Sequence, residues 1–291
     1  MANLKDIRRR IESVQKTQQI TRAMRMVAGA KLRRAQAAIE AARPYAERMR
    51  ATLTEVASAQ TDAAHPLLAV REEVANVEFV LVSSDRGLCG AFNANVAKHA
   101  APLVEARIAA GQSVSITTAG KKIRDAMKRT HAQCVAGDYP QQGWVEYGQA
   151  AEIARAVSTR FEAGEVDEVV LVYSEFVTAL TQIPRDVPLL PFAAADDAEG
   201  ASAEKPVLPY EIEPNPEALL RQLVPRALEV EIFRALLENQ SGEHAARMAA
   251  MESATRNTEE LIESLTLTYN RARQAAITRE LVEIVSGAEA L

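Results

Sequence analysis

Apolar residues in the first sixty positions recur at alternating steps of three and four, which is the spacing of a coiled-coil seam. Thirteen of the sixteen seam positions are apolar, and the exceptions are Gln18, Thr21 and Arg25. The full seam is Leu4, Ile7, Ile11, Val14, Gln18, Thr21, Arg25, Ala28, Leu32, Ala35, Ile39, Ala42, Ala46, Met49, Leu53 and Val56. We predict an N-terminal coiled-coil helix over residues 1–60. We expect its pairing to loosen at the three polar positions, whose side chains would then turn toward another molecule.

A second long helix is predicted over residues 217–291, where only Pro225 and Gly242 punctuate the pattern up to residue 286. Its expected seam shifts register near the end of the chain, which predicts that its contacts do not follow one seven-residue repeat throughout. That seam is Met251, Ala254, Thr258, Leu261, Leu265, Thr268, Ala272 and Ala275, followed by Ile277, Leu281 and Ile284. Two long helices with narrow seams most simply pair with each other in antiparallel orientation.

The middle of the chain has a different pattern. Runs rich in β-branched residues at 77–84, 113–120 and 167–176 predict strands, with helical segments at about 94–110, 120–129 and 147–163 between them. Alternating strands and helices predict an α/β layer domain with a largely parallel sheet, over residues 75–195. Seven of the twelve prolines fall in 184–216, so we interpret the stretch leading to the second long helix, with residues 196–216 at its end, as a proline-rich connector and foot. The predicted fold class is therefore α/β: a long antiparallel coiled coil of the N- and C-terminal helices plus this central domain.

Charge is distributed unevenly along the 291 residues. The net charge is −5, yet the first fifty residues carry thirteen Lys and Arg against four Asp and Glu. A basic helical arm is compatible with nucleic acid, an anionic lipid surface or an acidic protein partner. No run approaches the roughly 20 apolar residues of a membrane-spanning helix, and the beginning of the chain lacks the apolar core of a secretory signal.

The candidate chemistry in the sequence is sparse. The segment SSDRGLCGAFN at 83–93 follows a predicted strand and precedes a helix, where α/β folds bind ligands. Its glycines lack the spacing and the Lys-Ser/Thr of a phosphate-binding loop, which favours a tight turn over a nucleotide site. Cys89 and Cys134 are far apart and have no metal-binding spacing, so a reduced compartment fits best. We expect no catalytic residues, no metal and no cofactor.

Three stretches together resemble the gamma subunits of F-type ATP synthases, of the bacterial type. They are IRRRIESVQKTQQITRAMRMVAGAKLRRAQ near the start, SSDRGLCGAFN, and the closing region from ARMAAMESATRN to ITRELVEIVSGA. The resemblance implies a non-catalytic central rotor shaft that couples proton flow through a membrane ring to ATP synthesis or hydrolysis in a hexamer of alpha and beta subunits. It also implies contacts with the epsilon subunit and the c-subunit ring, and a peripheral position on the cytoplasmic face of the bacterial inner membrane. Membrane association would occur through the complex only, without nucleic acid.

Two groups of residues match positions that make contacts in this family. The resemblance implies that one group hydrogen-bonds an acidic catch loop of the beta subunit, with a methionine on the facing helix near that contact. This group is Arg247, Arg273, Gln274 and Thr278, with Met24 opposite. The second group, Tyr210 and Glu213 in LPYEIEP, corresponds to the foot that meets the c ring and epsilon. Two alternatives remain open: a coiled-coil nucleic-acid-binding protein, and a nucleotide enzyme built on the α/β domain.

Overall fold

The structure is a computed structural model that describes residues 4–58, 65–141, 143–192 and 216–289. It divides into two compact units, one made of residues 1–30 with 247–291 and the other of residues 31–246. The helices are α1 (Leu4–Ser58), α2 (Phe92–Ala109), α3 (Lys121–Thr130), α4 (Tyr147–Glu162) and α5 (Pro216–Glu289), with short 3-10 turns at Pro66–Leu68 and Ala132–Cys134. The strands are β1 (Asn76–Val82), β2 (Ser113–Ala119), β3 (Val135–Tyr139), β4 (Glu168–Phe176) and β5 (Gln182–Leu190).

The predicted seam of α1 is confirmed. All sixteen of its positions are buried or half-buried, whereas the residues between them are mostly exposed. The reason is the spacing itself, because steps of three and four return to the same side of a helix with 3.6 residues per turn. In the first unit, this stripe of α1 packs against α5.

The predicted seam of α5 is partly wrong. Leu261, Thr268 and Ala275 are exposed, and the half-buried positions are the residues that follow each of them. The observed seam is Met248, Met251, Thr255, Thr258, Ile262, Leu265, Tyr269, Ala272 and Ala276. This set keeps one seven-residue repeat from beginning to end, so the expected shift of register inside the pairing region does not occur. The error arose from following Leu261, a large apolar residue that lies one position outside the contact.

The second unit contains a five-stranded sheet in the order β3-β2-β1-β4-β5. The first four strands are parallel, and β5 pairs with β4 in antiparallel orientation. Because successive side chains of a strand point to opposite faces, each face has its own apolar cluster. Val77, Phe79 and Leu81 pack with α2 and α3, whereas Val80 and Val82 pack with α4 and with the parts of α1 and α5 in this unit. The largely parallel α/β layer is confirmed.

Strand β5 was not predicted, because its residues were interpreted as the beginning of the connector. Pro184 and Pro188 both lie within it. A proline cannot donate a ladder hydrogen bond, but it is tolerated at the edge of a sheet, which is where β5 lies. Strand β3 was also missed, since its five residues are only partly buried and show no strong apolar alternation.

The turn between β2 and α3 depends on a glycine. Gly120 has a φ of 118°, and a Cβ atom built on it would lie 2.4 Å from the carbonyl oxygen of Ser83. This close approach lets Ser83 Oγ accept a hydrogen bond from the backbone N–H of Ile123 at 2.9 Å, in the first turn of α3. The neighbouring strand β1 and helix α3 are therefore held together through this one position.

We predict that Gly120→Ala lowers the free energy of unfolding by about 3 kcal/mol, because backbone strain and the clash with Ser83 act together. Gly148→Ala in α4 is the matched control, since its Cβ would meet nothing within 4 Å and alanine favours a helix. Urea unfolding followed by circular dichroism measures both. Equal midpoints for the two variants would contradict the role given to Gly120.

Candidate partner-binding surface of the helix pair

Helices α1 and α5 are joined in the first unit by a layer of polar contacts. The amide of Gln18 donates to Glu259 at 3.1 Å, and Arg22 donates to the same carboxylate at 3.1 Å. One turn further along, Arg25 forms an ion pair with Glu252. Residue numbers on α5 fall as those on α1 rise, which confirms the antiparallel pairing.

The hydroxyls of Thr21 and Thr255 lie at the centre of this layer. They are 2.9 Å apart, and both residues are buried. The expectation that the pairing loosens at Gln18, Thr21 and Arg25 is therefore wrong. Each polar side chain in the α1 seam meets a complementary group on α5, and a buried polar group that is paired in this way avoids the cost of desolvation without a partner.

A close contact follows directly after the polar layer. A Cβ atom built on Gly29 would lie 3.3 Å from the sulfur of Met248. The absence of a side chain at Gly29 therefore makes room for the methionine, which is a flexible and adaptable residue in irregular contacts. The two helices approach closely at this level.

The ion pairs of the layer are solvent-exposed and depend on pH. A hydrogen bond from Arg25 holds the pKa of Glu252 below its usual value. A carboxyl group with a lowered folded-state pKa stabilises the fold above its unfolded pKa, and this contribution is lost as the pH falls through the folded value. Acid therefore weakens this contact between the helices. Exposed pairs of this kind contribute little each at neutral pH, so the apolar seam carries most of the pairing energy.

The residues expected to contact a beta-type partner divide into two groups along α5. Arg247 is half-buried, with half-buried Met24 close to it in the helix pair, whereas Arg273, Gln274 and Thr278 are exposed. At about 1.5 Å per residue, Arg247 and Gln274 lie about 40 Å apart along the helix. One short loop of a partner cannot reach both groups, so the surface has two separate levels.

The end of α5 exposes large apolar side chains. Continuing the observed register places Leu4, the first described residue of α1, beside Arg273. Beyond that point the described part of α1 offers no further partner, and five apolar residues are 50 to 69% exposed. They are Ile277, Leu281, Val282, Ile284 and Val285, which we call the α5 tip.

Exposed apolar side chains also occur lower on the helix pair. Ile20, Met26 and Val27 on α1 and Leu267 on α5 are 56 to 61% exposed. An exposed apolar patch on a folded protein commonly marks a contact with another molecule. Sequence analysis missed these four residues and the two valines of the tip. The signal that identifies them is a large apolar residue off the seam, on the outer side of a long helix.

The turn at 83–93 is occupied by its own hydrogen bonds. Asp85 Oδ1 accepts from the backbone N–H of Lys121 at 2.8 Å, and the carbonyl of Ser84 accepts from that of Lys122 at 3.1 Å. The side chain of Asn93 accepts from the backbone N–H of Ser84 at 3.0 Å. The first amides of α3 are thus already paired, although free amides at a helix N-terminus are what an anion needs. The geometry favours the tight-turn interpretation.

A buried carboxylate in the sheet has a structural environment. Glu78 on β1 accepts from Thr117 at 2.6 Å and pairs with Arg160 at 2.8 Å. Burial raises the pKa of Glu78, and the hydrogen bond from Thr117 and the charge of Arg160 oppose that rise. All three side chains join β1, β2 and α4, so this cluster is best explained as a link between elements.

The remaining candidates can be placed as follows. Tyr210 and Glu213 lie outside the described residues. Cys89 is buried, Cys134 is half-buried, and both are free thiols. Within the ranges that the structure describes, no group of three or more potential metal ligands is found. No helix in those ranges is both long and apolar enough to cross a membrane.

Comparison with known proteins places the chain among ATP synthase proteins. The family model described as ATP synthase matches residues 3–291. The chain is 49% identical to the ATP synthase gamma chain of Desulforamulus reducens and 48% identical to that of Parvibaculum lavamentivorans, with full coverage of both chains in each case. It is 46% identical to the ATP synthase gamma chain of Nitratidesulfovibrio vulgaris, covering 100% of this chain and 99% of the relative.

Solved structures show the same fold. A chain of the Euglena gracilis mitochondrial ATP synthase, from an OSCP/F1/c-ring assembly, matches with a TM-score of 0.71 and 22% identity, covering 99% of this chain and 94% of that one. A chain of the Tetrahymena thermophila mitochondrial ATP synthase central stalk and c ring matches with a TM-score of 0.62 and 24% identity. That match covers 81% of this chain and 99% of the Tetrahymena chain.

The paired threonines generate a test of the polar layer. Besides their mutual contact, Thr21 bonds the carbonyl of Gln18 and Thr255 bonds that of Met251. We expect Thr21→Val and Thr255→Val each to cost about 1 kcal/mol of unfolding free energy, because each removes the shared hydrogen bond. The double variant should unfold close to wild type, since two apolar groups then face each other. Urea unfolding of all four proteins gives the coupling, and simple additivity of the two losses would contradict the shared bond.

Proposed function

This chain belongs to the ATP synthase gamma chain family, and from that premise we propose that it is the central rotor shaft of an F-type ATP synthase. It couples proton flow through a membrane ring to the synthesis or hydrolysis of ATP in a hexamer of alpha and beta subunits. The observation that carries the proposal is the α5 tip, a helix end whose apolar side chains are exposed in the chain by itself. Such a helix end needs a surrounding partner to remove it from water.

The α5 tip has two chemically different sides. At about 100° per residue, its five apolar residues fall within an arc of about 160°. The opposite side carries Arg279, Glu280 and Glu283. A ring of three beta subunits around this helix would therefore meet different chemistry at each position. Turning the helix by a third exchanges those environments, so the nucleotide affinity of each beta subunit is biased by the orientation of the shaft.

The tip also suits a surface that slides. Its apolar residues are Ile, Leu and Val, without an aromatic side chain to act as a large anchor, whereas fixed interfaces commonly concentrate their energy in Trp, Tyr and Arg. Arg273, Gln274 and Thr278 border this region and are exposed. They supply directional hydrogen bonds that form and break as the shaft turns. Arg247, with Met24 opposite, supplies a second level of contact about 40 Å away along α5.

The shaft itself is proposed to be non-catalytic. The turn at 83–93 uses its carboxylate and the adjacent amides for its own structure. ATP hydrolysis would therefore belong to the alpha and beta subunits, with this chain as the coupling element between them and the ring.

The base of the shaft is proposed to meet the membrane part of the complex. Tyr210 and Glu213, in the proline-rich segment 196–216, are the candidates for contact with the c ring and the epsilon subunit. An aromatic anchor beside a charge is a common arrangement at interfaces. The chain would then be a peripheral subunit on the cytoplasmic face of the bacterial inner membrane, held there through its partners.

A nucleic-acid-binding role is less well supported. The basic arm suggested it, but Arg22 and Arg25 pair with Glu259 and Glu252 of the same chain. A phosphate backbone would have to compete with these carboxylates for both guanidinium groups. An acidic protein partner remains compatible with the other basic residues of α1.

The two levels of contact can be tested separately in the assembled complex. Arg247→Ala and Gln274→Ala each remove a polar group from one level. Because hydrogen bonds to charged groups contribute about 1.5–3 kcal/mol, each change should slow multisite ATP hydrolysis and ATP-driven proton pumping by about tenfold or more. We expect Arg247→Ala to have the larger effect, since it leaves an acidic partner without its cation.

The matched control is Arg155→Ala, which removes an exposed arginine from α4 in the α/β domain. It should assemble and turn over at the wild-type rate. Assembly of every variant is checked by gel filtration, and single-site nucleotide binding should stay near normal. Wild-type turnover and pumping by both Arg247→Ala and Gln274→Ala would exclude these residues as points of torque transfer.

A further inference from the structure

A cavity of about 220 Å³ lies at the carboxyl ends of β2 and β3. Its wall includes Ala119 and Tyr139, the last residues of these two strands, together with side chains of α4 and α5. This edge of a parallel sheet is where α/β folds most often bind small ligands. The cavity lies wholly within the second compact unit, away from the helix-pair surface described above.

The inner part of the cavity is apolar. Ala119, Ile153 and Leu236 are each at most 1% exposed and contribute to its lining. A ligand must therefore present an apolar group of moderate size to this part of the wall, because placing a polar group there without a hydrogen bond is costly.

One buried donor in the cavity wall has no partner. Gln141 Nε2 is fully covered from solvent and makes no hydrogen bond among the described residues. Its backbone N–H is used by Asp85, so the main chain of the residue is held in place. Buried donors are nearly always satisfied, and an unsatisfied one in a cavity wall indicates a position where a ligand acceptor would bind.

The charged groups in the lining are acidic. No lysine or arginine occurs among the described residues that line the cavity, whereas Asp138 and Glu152 do. Asp138 is already paired with Arg124 at 3.0 Å, so it contributes little net charge. Glu152 is exposed and supplies the negative charge. Burial raises the pKa of the Tyr139 hydroxyl, and the charge of Glu152 adds to that rise, as expected for a carboxylate acting on the same space.

We propose that this cavity binds a small organic monocation that carries an ammonium group, an adjacent carbonyl and a branched apolar group. The ammonium group pairs with Glu152, the carbonyl accepts the hydrogen bond of Gln141 Nε2, and the apolar group packs on Ile153 and Leu236. A ligand with a carboxylate or phosphate is disfavoured, because it would face Glu152 with no cation in the lining to compensate. The inference does not depend on the proposed rotor function.

Four related compounds test the three contacts one at a time on the purified full chain. Leucinamide carries all three groups. Isoamylamine lacks the carbonyl, isocaproamide lacks the ammonium group, and leucine replaces the amide with a carboxylate. Binding is measured by isothermal titration and by ligand-observed saturation-transfer NMR. For a ligand of this size we expect leucinamide to bind with a Kd on the order of one millimolar and the other three to bind more weakly.

Two variants assign the contacts to their residues. Glu152→Gln should weaken leucinamide by about threefold to tenfold and leave isocaproamide unchanged, because only the first carries a cation. Gln141→Leu should weaken leucinamide and isocaproamide by about twofold to tenfold and leave isoamylamine unchanged. Glu105→Gln on α2, an exposed carboxylate outside the lining, is the matched control and should bind like wild type.

Thermal unfolding of each variant verifies that it is folded, which is expected because Glu152 is exposed and Gln141 lies in a loop. The proposal is overturned if leucinamide shows no saturable binding up to about 20 mM, well above the expected Kd. It is also overturned if leucine binds as tightly as leucinamide, or if Glu152→Gln and Gln141→Leu both bind leucinamide like wild type.

Discussion

The antiparallel register between α1 and α5 is the constraint on which the functional surface depends. Gln18, Thr21 and Arg25 each meet one complementary group on α5, and Gly29 admits Met248 one turn later. A sliding of the pairing by one turn would break all these contacts together, whereas an all-alanine seam would tolerate it. Polar groups within a seam are known to specify register at some cost in stability. The same register determines that α5 continues beyond the described beginning of α1.

This geometry connects two properties that would otherwise be in conflict. The lower part of the helix pair is held by matched polar and apolar contacts. The α5 tip, in contrast, has no helix of the described chain against it and keeps its apolar residues exposed. A protein that turned inside its partners would need both a body that does not slip and an end that makes only exchangeable contacts. The separation of Arg247 from Gln274 by about 40 Å along the helix distributes those contacts over two levels.

Much of the fold could be predicted from the sequence because its strongest signals are periodic. The α1 seam and the strands β1, β2 and β4 follow patterns that repeat with the period of their own element. The seam of α5 was displaced by one residue, because Leu261 and Ile262 are both apolar and only the partner helix decides between them. Strand β5 was missed because the two prolines within it are acceptable only at an edge, and the position of a strand in the sheet is a tertiary property.

The candidate site was less predictable for a related reason. That Thr21 would face Thr255 and that Arg25 would face Glu252 depends on residues more than two hundred positions apart. A polar residue in a seam signals either a loosened contact or a matched one, and the sequence of one helix does not distinguish these. The exposed apolar residues of the tip, in contrast, were identifiable once the end of the pairing was known.

Rotation is the central claim, and it can be observed directly. With the alpha and beta subunits fixed to a surface, a probe is attached at position 98, where the exposed Lys98 of α2 is replaced by a cysteine in a chain whose Cys89 and Cys134 are changed to serine. The account predicts unidirectional rotation of the probe in steps of one third of a turn while ATP is hydrolysed. A probe that stays fixed while the same complexes hydrolyse ATP at the normal rate would contradict it.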